Sequence, residues 1–196
     1  MSSGLQNRVR PDGAIIADPA RGRLMGNRGG RIHKGKTVVR RWASKQWIYC
    51  VLDFKNRHRE VMGDGYTELF FFDEAVALAA GHRPCFECQR ERAMEFAQAF
   101  PSEGRSRAPD MDRQLHNERL GPRDRLLVSD LPNGSFIEIE GNACLLHDGL
   151  VRPWTMQGYG AAQTPPKIPV TVLTPRSTRA TLSAGYVPYL HPDLCG

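Results

Sequence analysis

The chain has 196 residues, 40% hydrophobic and 24% charged, with 27 Lys or Arg against 21 Asp or Glu and a net charge of +6. That length supports one core with room for an arm. No apolar run approaches the ~20 residues of a membrane helix, and the first ten residues lack a signal-peptide core, so the expectation is a cytoplasmic protein with no membrane segment.

Five cysteines, an odd number without disulfide-framework spacing, point to metal or free thiols in a reducing compartment. Charge is unevenly placed. Residues 1–45 hold eleven Lys or Arg against Asp12 and Asp18, a segment of +9 in a chain of +6, which leaves −3 for the rest. A basic segment on a slightly acidic body suits a polyanion, and 22 Arg against 5 Lys favours the planar fork that matches phosphate.

In chain order, residues 1–35 read as a basic Gly/Arg-rich arm, partly disordered, because apolar periodicity is missing. Asn27, Arg28, Arg31 and Lys34, with Arg40 and Arg41 just beyond, are the candidate nucleic-acid contacts. The Gly-rich stretch from Gly26 to Gly30 lacks the Lys-Ser/Thr ending of a phosphate-binding P-loop.

Residues 36–42 and 46–54 read as strands, the second with Trp47 and Tyr49 on one face and Ile48 and Cys50 on the other. A third strand is expected over 67–72. A short Ala-rich helix over 73–80 follows, with Asp73 as its N-cap and Gly81 as its stop. Cys85-Phe86-Glu87-Cys88 is expected to open the next helix, 85–100. A helix over 110–120 ends at Gly121-Pro122. Strands at 135–140, 143–147 and 150–154 form a meander around Gly141-Asn142 and Asp148-Gly149. A last strand (170–173) and helix (177–184) complete an α+β reading, with 36–196 as one domain.

Cys85 and Cys88, three residues apart, can grip one soft cation, usually zinc. The run Ala79-Ala80-Gly81-His82-Arg83-Pro84-Cys85-Phe86-Glu87-Cys88, with the Ala-rich helix before it, resembles the second half of the zinc-binding domain of Ada-type DNA alkylation-repair proteins. Trp47-Ile48-Tyr49-Cys50 is similar to the start of that family's first cysteine segment. The match spans Cys50 to Gln89, and Phe54 stands where the family has its second cysteine. The resemblance implies a small zinc module over about 36–100, with Cys50, Cys85 and Cys88 as ligands. His58 is the expected fourth ligand, with His82 or Cys144 as substitutes. It also implies that Cys50 matches the thiolate that accepts a methyl group from a DNA phosphotriester.

A second pattern competes. His58-Arg59-Glu60 followed by Pro84-Cys85-Phe86-Glu87-Cys88 fits the H-x-E…P-C-x-x-C signature of zinc nucleobase deaminases, with Glu60 as proton shuttle. Its context differs, because His58 lies in a basic loop and a helix precedes Pro84.

The segment 110–120 is dense in titratable groups. On a helix Asp112, His116 and Arg119 share one face, with Glu118 on another. A His beside an Asp can act as a general base, and an Arg one turn on can steady an anionic transition state. The bland alternative is a solvated face with one weak pair. His33 is the other residue able to converge on such a site. The functional reading is a zinc-containing DNA-acting protein of repair or nuclease type, leaning towards an enzyme and open to a second divalent cation. The alternatives are a non-catalytic nucleic-acid-binding or regulatory module, and a deaminase.

Overall fold

The computed structural model describes residues 4–56, 60–102 and 106–194. The chain folds as α+β, two six-stranded sheets joined by helices. β1 (Gln6–Val9), β2 (Ile15–Ala17) and β3 (Leu24–Arg28) come first, then a separate hairpin of β4 (His33–Lys34) and β5 (Thr37–Val38). β6 (Trp47–Cys50) and β7 (Leu69–Phe71) lead to α1 (Glu74–Ala79) and β8 (Arg83–Pro84). The first sheet runs β2-β1-β7-β3-β6-β8. Its β1/β7 and β6/β8 pairs are parallel, and its others are antiparallel.

The expected N-terminal arm is therefore a correction. Residues 6–28 supply three strands of the first sheet, with Asn7, Val9, Gly26 and Arg28 facing inward. Two of those four are polar and one is glycine, so the buried face carries almost no apolar periodicity to read. The strand expected over 46–54 is also shorter, because the backbone leaves the sheet at Cys50.

α2 (Arg90–Ala99) and α3 (Ala108–Leu120) follow. The Cys-x-x-Cys does not open α2, as expected from sequence, but occupies the turn before it, where Gln89 N–H donates to Cys85 O at 3.0 Å. The second sheet contains β9 (Arg125–Leu126), β10 (Phe136–Ile139), β11 (Asn142–His147), β12 (Leu150–Thr155), β13 (Gly158–Tyr159) and β14 (Val170–Val172). Its order is β13-β12-β11-β10-β14-β9, and α4 (Arg176–Ser183) follows it. The meander turns fall on Glu140-Gly141 (φ 51° and 77°) and Asp148-Gly149 (φ 50° and 73°). Both residues of each turn are left-handed, the hairpin geometry that matches strand twist.

One core lies between the sheets. Val9, Tyr49, Leu69 and Phe71 of the first meet Phe136, Leu145 and Trp154 of the second, with all of α1, Phe96 of α2, and Met111 and Leu115 of α3 between. Alternate residues of the second sheet, including Ile137, Cys144, Leu146 and Val172, build a smaller cluster on its other face. Among the described residues no helix is long and apolar enough to cross a membrane.

Inside that core sit two polar anchors. Glu74, wholly within α1, accepts from the hydroxyls of Tyr49 and Tyr186, from Arg92 at 2.8 and 2.9 Å, and from Tyr189 N–H at 2.7 Å. Arg83 of β8 grips Asp112 of α3 through two bonds of 2.9 and 2.8 Å. The second anchor fixes the strand that delivers Cys85.

Candidate metal centre and the arginine-rich face

Three short devices bring the cysteines together. α1 is capped by Asp73 Oδ1 on Val76 N–H at 3.0 Å and ends at Gly81, whose φ is +79°. That turn sends the chain back along β6, pairing Ile48 with Arg83 and Tyr49 with Pro84. Cys85 N–H then donates to Tyr49 O at 3.0 Å, and the Gln89 amide reaches the same carbonyl at 3.1 Å. Cys50, at the end of β6, is thereby set against the Cys-x-x-Cys turn.

The ligand atoms of Cys50, Cys85 and Cys88 all lie within 4.8 Å of one another. Two sulfurs on one tetrahedral zinc stand about 3.8 Å apart, given Zn–S bonds of about 2.3 Å. The trio lies close enough together for one such ion. All three are free thiols. Backbone donors already face the sulfurs: Glu87 N–H approaches Cys85 Sγ at 3.4 Å, and Val51 N–H faces Cys88. Such donors stabilise thiolate charge.

The hydrogen bond from Cys50 pulls the Cys85 thiol well below its ordinary range, and the same bond pushes Cys50 up. Sulfurs this close cannot all ionise without a counter-charge, which a divalent cation supplies. A cavity of about 270 Å³ adjoins the cluster, lined by Met25, Leu52, Phe54, Val61, Tyr66 and Phe70. The cluster thus can hold a metal ion through three protein sulfurs, with a further position for another donor.

His58, the expected fourth ligand, lies outside the described residues. Its substitutes are corrected. His82 is fully buried between the rings of Phe71 and Trp47 and accepts from Arg28 Nε at 3.4 Å. Cys144 belongs to the cluster behind the second sheet. Cys144 lies on β11, in a different sheet from β6 and Cys50. Glu60, the shuttle of the deaminase pattern, is exposed and paired with Lys36 at 2.9 Å.

The segment 110–120 is helical, yet its members hold other partners. Both Asp112 oxygens serve Arg83. Glu118 accepts from Ser177 N–H at 3.0 Å and from its hydroxyl. His116 is 7% exposed, sets its ring edge against Trp42 at 5.2 Å, and leaves Nδ1 without a partner. Burial, then Arg119 and Lys45, hold its pKa below the ordinary range. His33 is buried in the hairpin region, bonded to the Thr67 hydroxyl at 2.5 Å and Gly63 O at 3.0 Å. Among the described residues no other group of three or more His, Cys, Asp or Glu side chains comes together, so the second divalent cation finds no cluster there.

The basic candidates divide. Arg31, Lys34, Arg40 and Arg41 are exposed, while Asn27 caps its own turn by accepting from Gly29 N–H at 3.0 Å. Arg28 is buried, lying 3.9 Å from the centroid of the Trp47 ring, and Arg119 lies 4.1 Å from the same ring. Gly81 makes room for Arg119: a Cβ there would come within 2.5 Å of its Cδ. This Arg–Trp–Arg arrangement was missed from sequence. Comparison of the chain with family models, curated proteins and solved structures finds no match.

Proposed function

We propose that this chain is a zinc-dependent nucleic-acid-binding protein whose metal, held by Cys50, Cys85 and Cys88, locks the turn before α2 onto β6. The convergence of three thiols from two separated segments is the observation that carries the proposal. The resemblance to Ada-type zinc domains supports zinc over other soft cations and DNA as the partner. Exposed Arg31, Lys34, Arg40 and Arg41 supply the charge for a phosphate backbone. A binding role fits better than a hydrolytic one, because Asp112 and Glu118 are committed to Arg83 and Ser177.

The test pairs zinc content with DNA affinity. Purified protein is expected to carry one zinc per chain and to bind labelled DNA with an affinity that falls steeply as salt rises. Adding Mg²⁺ or Mn²⁺ to the same mixtures reads out cleavage. Cleavage that disappears in His116→Ala, with binding retained, would restore the nuclease reading.

A second reading rests on the cavity beside Cys50. Walls that are mostly apolar, with Glu68 and Glu87 among them, next to a metal-held thiolate suit transfer of a methyl group from an alkylated phosphotriester to Cys50 Sγ. The S–C bond forms as the C–O bond to phosphate breaks, leaving a phosphodiester anion. A Cys50 adduct of about +14 Da, one methyl replacing one hydrogen, after incubation with methylated DNA is the expected sign. Its absence with fully zinc-loaded protein removes this reading.

A further inference from the structure

Arg28 is an unusual side chain to bury. Its three nitrogens meet only neutral acceptors: His82 Nε2 at 3.4 Å, Arg41 O at 3.4 Å and Gly13 O at 2.8 Å. No carboxylate pairs with it among the described residues. Arg119, 4.1 Å from the centroid of the same Trp47 ring, likewise donates to carbonyls, Gly81 O at 2.8 Å, Lys45 O at 3.0 Å and Asp112 O at 3.4 Å, and its buried Nε has no hydrogen-bond partner. Buried charge normally meets an opposite charge. Here two guanidiniums lie 3.9 and 4.1 Å from the centroid of one indole and neither forms a salt bridge among the described residues, although Asp12 acts on Arg28, and Asp112 and Glu118 on Arg119, from farther off.

Both border the same surface depression. Two adjoining hollows share Asp12, Gly13, Arg41 and Arg123, one reaching Arg28 and the other Arg119 and Trp47. Together seven arginines and three carboxylates line them. The carboxylates are already engaged: Asp12 by Arg10 at 3.4 Å, Asp124 by Arg176 and Arg179, and Glu118 by Ser177. On the Arg28 side four arginines share one carboxylate, Asp12, which already pairs with Arg10. Burial, then Arg119 and Arg41, push Arg28 down to about 9, so each positive neighbour resists the others. A dianion entering the hollow would relieve that repulsion.

We infer that the cleft between β3, the start of β6 and the end of α3 is a phosphate-binding site, with Arg41 and Arg123 contacting the phosphate group and Arg28 and Arg119 charging the cleft from below. This deepens the nucleic-acid reading by naming where a phosphate sits, and it adds Arg119 and Arg123 to the residues involved. The same chemistry could be presented by a nucleic-acid backbone or by free phosphate, so the test uses both.

Calorimetric titration of zinc-loaded, full-length protein with inorganic phosphate, and fluorescence titration with single- and double-stranded DNA, would be run on wild type and variants. Arg41→Ala and Arg123→Ala, both at exposed or cleft-lining positions, are expected to lower phosphate affinity at least tenfold with an unchanged circular dichroism spectrum. Arg113→Ala, an exposed position on α3 outside the cleft, is the control and should bind as wild type. Arg28→Lys keeps the charge and should retain binding better than Arg28→Met. Phosphate binding without DNA binding would keep the site and overturn the nucleic-acid reading. DNA binding that is unaffected by the Arg41 and Arg123 changes, with no phosphate binding, would overturn the site and leave that reading standing.

Discussion

Removing the Asp112 carboxylate should cost the protein far more than an ordinary surface charge. Arg83 is 2% and Asp112 10% exposed at the side chain, and two bonds of 2.9 and 2.8 Å join them. Arg83 keeps only Pro84 O, at 3.1 Å, as a further acceptor. Asp112→Ala therefore strands a guanidinium in the interior, a change that typically costs about 3–5 kcal/mol. For a chain of this size each kcal/mol moves Tm by about 2–4 °C, so the expected fall is roughly 6–20 °C. Differential scanning calorimetry with matched urea titrations would measure it. The paired change Arg83→Met with Asp112→Leu removes both charges and should recover much of the loss. A fall below about 1 kcal/mol in Asp112→Ala, or a double variant no better than the single one, would refute the anchoring role. Asp112 would then be free for the catalytic part that its place beside His116 first suggested.

Other outcomes follow from the same physics. Glu74→Ala takes the carboxylate from the buried hydroxyls of Tyr49 and Tyr186, while Arg92 keeps Glu95 at 2.7 Å and Val187 O at 2.8 Å, and should cost about 1–3 kcal/mol in urea unfolding. His82 is held well below its ordinary pKa by burial, then by Arg28 and Arg119, so the unfolded chain binds a proton there before the folded one does. Its contribution is present above pH ~6.5 and is lost as pH falls towards the folded value, at up to about 1.4 kcal/mol per pH unit. Stability measured from pH 7 to 5 should fall less steeply in His82→Phe than in wild type, and equal slopes would contradict this. Chelation should weaken phosphate binding as well as release metal, because β6 carries Trp47 at one end and Cys50 at the other, about 10 Å apart along the strand. Unchanged phosphate affinity in folded, metal-free protein would uncouple the two sites.

Cys85 and Cys88 were legible as a pair because their spacing is local, whereas Cys50 joined them only through the resemblance to Ada-type zinc domains. The pair was expected to open a helix and instead sits in the turn before α2, while the alternation of β6 placed Cys50 on a definite face. α1, with Asp73 and Gly81 at its ends, was legible from local signals, as was the three-stranded meander, although its first turn lies one residue earlier, at Glu140-Gly141. What could not be read depends on partners far apart in sequence. Arg28 and Arg119 both reach Trp47, Arg28 because β3 pairs with β6 and Arg119 from the end of α3, and neither approach has a local signature. The β1–β3 segment looked like an arm because its inward face includes Asn7, Gly26 and Arg28, residues that propensity assigns to surfaces. Asp112 and His116 do share a helical face, but the partner that decides Asp112's role comes from β8, 29 residues away. Polar residues whose charge is settled by distant partners are where periodicity says least.

The metal itself is the most direct test. X-ray absorption at the zinc edge on protein purified without added metal should show one zinc with three sulfur neighbours at about 2.3 Å and one lighter nitrogen or oxygen neighbour at about 2.0–2.1 Å. Cys50→Ser, Cys85→Ser and Cys88→Ser should each lose or remodel that shell, and Cys144→Ser should leave it unchanged. Folded protein that contains no zinc and takes none up, or a shell with fewer than three sulfurs, would contradict the account.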